Sequence, residues 1–150
     1  MRLVARGSAA GDVDGDGDLD LFFMDTTGFP FGKRDSPLLL NEGGDRRHAI
    51  AFRLIAGQDR RTVLGTKIVV EAGESRQIAE WEIQPSFASG SAAPLWFGTG
   101  ERAIADRVTV LWPDGSKAVY EGLEAAGVWK LTPGEKPRLE HRFASTAPRR

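Results

Sequence analysis

Arg107-Val108-Thr109-Val110-Leu111-Trp112 runs directly into Pro113-Asp114-Gly115, and this stretch sets the class of fold. Val108, Val110 and Trp112 fall on one side of an extended chain, and Arg107 and Thr109 on the other. That is the period-two alternation of a half-buried strand. Pro113 presets its own φ and Asp-Gly supports positive φ, so the chain turns back into a second strand over Lys117–Tyr120.

The same grammar extends outward. In Arg76–Ile83, Ala79, Trp81 and Ile83 share one face, and Ile78, Glu80 and Glu82 share the other. The Trp81 face is the expected core face. Ala72-Gly73-Glu74 fits a tight connection from a strand at Lys67–Glu71. Further strands are expected at Leu19–Met24, Pro37–Leu40, His48–Ile55, Leu95–Phe97 and Val128–Leu131, separated by turn signals such as Asn41-Glu42-Gly43-Gly44 and Thr132-Pro133-Gly134. The expected fold is therefore all-β. Glu135–Arg150 has little apolar periodicity, and a frayed tail is expected there.

Composition supports this class. The chain has 150 residues, enough for one ordinary domain, and 41% of them are hydrophobic, enough for a real core. Eighteen Gly and eight Pro divide the apolar runs into short pieces. There is no cysteine, which removes disulfides and thiol chemistry. The formal net charge of −1 gives no argument for a nucleic-acid partner. No segment approaches the roughly 20 apolar residues of a membrane span, so no membrane insertion is expected. The opening Met-Arg-Leu-Val-Ala-Arg-Gly-Ser lacks the apolar core of a signal peptide.

A second stretch carries the chemistry. Asp12-Val13-Asp14-Gly15-Asp16-Gly17-Asp18-Leu19-Asp20 places five of the 21 acidic residues in nine positions. Without those five charges the remainder of the chain, from the net −1, carries +4. Like charges so close repel unless a cation sits among them. Aspartate at every odd position with Gly17 at the sixth is the opening of a looped calcium site. Asp12, Asp14 and Asp16 are expected to supply carboxylates. Asp18 would offer its backbone carbonyl, its own carboxylate staying near solvent, and Asp20 would close the loop directly or through water. Magnesium demands a stricter octahedron, and zinc prefers the nitrogen and sulfur donors missing nearby. The loop is not an EF-hand, because position 12 falls on Phe23 and an apolar strand succeeds Asp20 instead of a helix. The competing explanation is a solvated acidic turn, against which the regular spacing stands.

The two signatures together resemble a known arrangement. The Asp loop, its Leu-Asp-Leu-Phe-Phe strand and Pro37-Leu38-Leu39-Leu40-Asn41-Glu42-Gly43-Gly44 are similar to one FG-GAP repeat, in which a calcium loop leads into a β-propeller blade. Residues 45–134 resemble the ASPIC/UnbV domain of the cartilage acidic protein-like family. The matching pieces are Phe52-Arg53-Leu54-Ile55-Ala56-Gly57, Leu64-Gly65-Thr66-Lys67-Ile68-Val69-Val70, Gln77, Trp96-Phe97-Gly98-Thr99-Gly100 and Asp106–Gly115. The resemblance implies a partial blade with its calcium loop over 1–44, a β-sandwich or barrel-like domain over 45–134, and a flexible tail over 135–150. This chain departs from the family where Trp96 and Thr99 replace a usual His and Leu. Val63-Leu64-Gly65-Thr66 stands for the usual Gly-Ile-Gly-Ala, and the Gly-Tyr-x-Ser-Gln region is blurred at 86–90. A family ligand site built on the replaced residues is altered here. A lone blade leaves sheet edges unpaired. It is expected to pack against the sandwich, its origin being a longer protein, with self-association through the blade edge as the remaining outcome.

The resemblance implies a non-enzymatic, extracellular or periplasmic recognition or adhesion module, with structural calcium and a protein or glycan partner. A carbohydrate-binding module is the alternative, with Trp96 and Phe87 as the candidate aromatic platform. Core packing is the better reading of Trp81 and Trp112, which sit in phase with apolar residues. A calcium-assisted hydrolase has less support. No Gly-x-Ser-x-Gly surrounds a serine, His48 reads as a surface residue, and Glu80 and Glu82 read as exposed strand polarity instead of a glycosidase pair.

Overall fold

The structure is a computed structural model that describes residues 5–26, 36–42, 47–57, 63–82 and 94–144. Eleven strands are present among these residues, and no helix. In chain order they are β1 (Ala5–Gly11), β2 (Asp20–Asp25), β3 (Leu38–Leu39), β4 (His48–Leu54), β5 (Lys67–Ala72), β6 (Ser75–Glu80), β7 (Leu95–Gly100), β8 (Ile104–Leu111), β9 (Lys117–Glu124), β10 (Ala126–Leu131) and β11 (Arg138–Arg142). They form one three-stranded sheet, β1-β2-β3, and two four-stranded sheets, β11-β10-β4-β7 and β6-β5-β8-β9. The all-β expectation holds. The larger sheets make a sandwich and do not close into a barrel.

The sandwich arises from the alternation already noted. In β4, Ile50, Phe52 and Leu54 are buried, and in β5 Ile68 and Val70 are completely so. Val108, Val110 and Trp112 join them with Phe97, Leu123 and Leu131 in a single core cluster fed by both sheets. Phe52 and Phe97 meet edge to face, ring centroids 5.8 Å apart. Ala79, Trp81 and Trp129 pack partly buried against this cluster, while Ile78 is 60% exposed. The Trp81 face of β6 is thus the inner one. Ile83 lies outside the described residues.

One sheet, β6-β5-β8-β9, is antiparallel throughout, with short turns joining β5 to β6 and β8 to β9. Leu111 pairs with Lys117 across the Trp112–Ser116 connection. There Gly115 donates to the Trp112 carbonyl at 3.0 Å, and the Ser116 amide donates to Asp114 Oδ1 at 2.8 Å. Gly115 has φ +84, the conformation its lack of a Cβ permits. The other sheet is mixed: β10 runs parallel to β4, with Ala126 opposite Ala49 and Leu131 opposite Leu54.

Two strands fall where none is expected. β1 pairs antiparallel with β2, Gly11 opposite Asp20. β11 pairs with β10, so Arg138–Arg142, within the stretch expected to fray, is an edge strand, while residues 145–150 lie outside the described residues. Gly127 makes room for it: a Cβ there would meet the His141 carbonyl oxygen at 2.4 Å. The ladder also slips by a bulge between Val128 and Trp129. Arg142 Nη1 donates to Glu124 Oε1, and that hydrogen bond holds the Glu124 carboxyl below its ordinary range.

The β1-β2-β3 sheet is different in character. Leu21 pairs with Leu39 and Phe22 with Leu38, adjacent positions that point to opposite faces. All four side chains are exposed. This small sheet carries bare apolar surface on both sides.

Candidate metal loop and cleft

The nine-residue aspartate run is the connection of the β1–β2 hairpin. Asp12 comes directly after the last residue of β1 and Asp20 begins β2, so the ladder pair Gly11 and Asp20 pins both ends of the loop. Within it the loop folds onto its own carboxylates. Asp12 Oδ1 accepts from the Gly15 amide at 2.7 Å and Asp12 Oδ2 from the Gly17 amide at 3.2 Å. Asp20 Oδ2 accepts from the Val13 amide at 2.8 Å. Its Oδ1 takes the Asn41 amide at 2.9 Å, which ties the exit of β3 to the loop. Aspartates accepting amides a few residues away build such turns locally.

In the folded loop three of the five aspartates come together. One carboxylate oxygen each from Asp12, Asp14 and Asp20 lies within 4.8 Å of the others. Asp20 is 1% exposed, Asp12 half-buried and Asp14 exposed. Hard oxygen donors gathered this way suit a hard divalent cation such as calcium. Asp16 and Asp18 stand outside the triad. Asp16 Oδ1 instead accepts the Asp18 amide at 3.1 Å. The expectation that the Asp18 carboxylate stays near solvent is overturned, since Asp18 is 6% exposed. It lies where the loop meets the sandwich.

That meeting is built from small, specific contacts. The Ala144 amide donates to the Gly15 carbonyl at 2.6 Å. Gly17, buried and at φ +96, sits against Phe143, whose ring would be 2.7 Å from any Cβ added there. The Phe143 ring also stacks on Trp96, at 5.1 Å between centroids with 18° between planes. Phe143 was hidden from sequence reasoning because it lies in the stretch read as tail. Its one available signal was an isolated aromatic after a polar run.

Between loop and sandwich lies an open cleft of about 580 Å³. Gly17, Asp18 and Leu19 line it from the loop side, and Arg47, His48, Trp96 and Gly98 are among the residues that line it from the sandwich side. His48 is exposed there, as expected of a surface residue. Trp96 is half-buried, and Phe143 takes one face of its ring. Phe87, the other aromatic candidate, lies outside the described residues. Gly98 and Gly100 belong to β7, where the register against β4 shifts between His48 and Ala49. They flank that irregularity, Gly100 pairing with His48 and Gly98 with Ala49. Glu80 pairs with Lys67 at 3.4 Å on the exposed face of β6 and β5. No helix among the described residues is long and apolar enough to cross a membrane.

Against known protein families, the profile described as ASPIC and UnbV matches residues 56–138. That span begins just past β4 and ends at the first residue of β11; it takes in the whole β6-β5-β8-β9 sheet and, of the other sheet, β7 and β10. No curated protein matches the chain.

Proposed function

This chain belongs to the ASPIC and UnbV family, and from that premise we propose that it is a non-enzymatic, calcium-binding recognition or adhesion module of an extracellular or periplasmic protein. The observation that carries the metal reading is the convergence of Asp12, Asp14 and Asp20 at the neck of the β1–β2 hairpin. Those three carboxylates would hold the ion, and Asp16 and Asp18 shape the loop around it. The ion would neutralise the clustered charge and fix the turn that aims β2. Its role is structural.

The N-terminal hairpin with β3 is, on this reading, one FG-GAP-type calcium loop and partial blade. The exposed Leu21, Phe22, Leu38 and Leu39 support it, because a blade rests between neighbours on both faces. They also support association of this sheet with further blades or with a second copy. An extracellular protein or a glycan is the partner class the reading implies.

A melting scan tests the metal. For a dissociation constant near 10 µM, 1 mM calcium stabilises the fold by roughly 2.7 kcal/mol over chelator. In a domain of this size that is a rise in midpoint of roughly 5–10 °C. Asp20→Asn is expected to remove most of the rise. Equal midpoints with calcium and with chelator in the wild type would sink the reading.

A carbohydrate-binding reading has one observation in its favour, the position of Trp96 in the cleft wall. It predicts glycan-array binding that disappears in Trp96→Ala. Binding that survives the substitution moves the glycan site elsewhere.

A further inference from the structure

Two contacts that the loop receives from residues 143 and 144 converge on one carboxylate. Asp12 is held by the amides of Gly15 and Gly17. Those same two glycines are the ones that residues 143 and 144 touch, Gly15 through its carbonyl and Gly17 through its bare Cα. Behind them Phe143 is anchored to the sandwich twice. Its amide donates to the Ala126 carbonyl at 3.0 Å, and its ring stacks on Trp96. A continuous path of contacts thus runs from the core sheet to a corner of the aspartate triad.

We propose that Phe143 and Ala144 form a latch that holds the aspartate loop in its converged shape and thereby sets its affinity for a divalent cation. The inference rests on the calcium reading above and adds to it residues far outside the loop. Three carboxylates repel, so the bare loop favours a wider arrangement. The latch opposes that widening by fixing Gly15 and Gly17, and with them the hydrogen bonds that orient Asp12. A loop already converged loses less freedom when the ion arrives, and affinity rises accordingly. The linkage is reciprocal: an ion that favours the converged loop also favours the seated Phe143. Gly17 suits the contact for a physical reason, because any side chain there would drive the Phe143 ring off its seat.

Calorimetric titration of the whole chain with calcium chloride tests the latch. Phe143→Ala empties the seat, and Ala144→Pro removes the amide that Gly15 receives, while neither changes a carboxylate. Both are expected to weaken calcium binding about tenfold, within the usual range of intersite coupling. Near-ultraviolet circular dichroism with chelator checks that each variant keeps the packed sandwich. The two substitutions perturb the fold in different ways, so either variant that stays packed suffices. If a packed variant binds calcium as tightly as the wild type, the latch is overturned and the calcium reading stands. If the wild type itself takes up no calcium, the calcium reading falls and the latch falls with it.

Discussion

Replacing Phe52 with alanine is expected to cost about 3–5 kcal/mol of unfolding free energy, the range for deleting a fully buried aromatic ring. Phe52 has no exposed surface and sits in β4, which has β10 on one side and β7 on the other. It packs edge to face with Phe97, so the substitution also removes an aromatic pair. β4 is paired with β10 from Ala49 to Leu54 and with β7 as far as Phe52, which leaves the surroundings little room to collapse into the void. Urea denaturation should show a lower midpoint with an unchanged slope. Phe52→Leu should recover more than half of the loss. A change below about 1 kcal/mol for the alanine variant would mean that the two sheets do not share this core.

The second large effect is expected at Gly127. A Cβ at this position would lie 2.4 Å from the His141 carbonyl oxygen, 3.0 Å from Leu139 Cδ1 and 3.1 Å from Arg142 Cα. Two of these three obstacles are backbone, so rotamer changes give no relief. Gly127→Val should therefore push β11 off the sheet edge, at a cost of about 3 kcal/mol. The salt bridge of Arg53 with Glu140 and that of Arg142 with Glu124 would be lost with it. Both are exposed and add little to that figure. Trypsin gives a direct readout, since Arg138 and Arg142 lie in β11. Rapid cleavage there in the variant, with the rest of the sandwich intact, is the expected result. Cleavage no faster than in the wild type would show that β11 tolerates the bulk.

Both of these sites bear on what the sequence could and could not reveal. Strands whose side chains alternate and meet a core could be read directly. Val108, Val110 and Trp112 declare β8, and Ala79 and Trp81 declare the inner face of β6. β11 could not be read, because Arg138-Leu139-Glu140-His141-Arg142 offers a single apolar residue. What makes it a strand is a vacant edge and a glycine on β10, and neither lies in its own residues. β1 escaped for a related reason: Ala5–Gly11 is made largely of small residues with little strand preference, and only its pairing with β2 extends it. The aspartate loop was legible as a cluster because ligand spacing is local. Its internal division, with Asp12, Asp14 and Asp20 together and Asp18 buried, depends on which amides face which carboxylates. The seat of Phe143 depends on three separate segments, so a lone aromatic in one of them could not reveal it.

The parallel pairing of β4 with β10 has a consequence for how the protein assembles in time. The hairpins β5–β6 and β8–β9 close over short turns and are expected to form early. β4 emerges before either of them, yet its parallel partner is Val128 and its neighbours, at the far end of the domain. Until that end has been synthesised, an apolar strand waits with one edge unsatisfied. Closing so long a span is slow compared with hairpin formation. The last part of the domain to leave the ribosome therefore completes the sheet, and only then can the aspartate hairpin near the beginning of the chain find the surface it rests on.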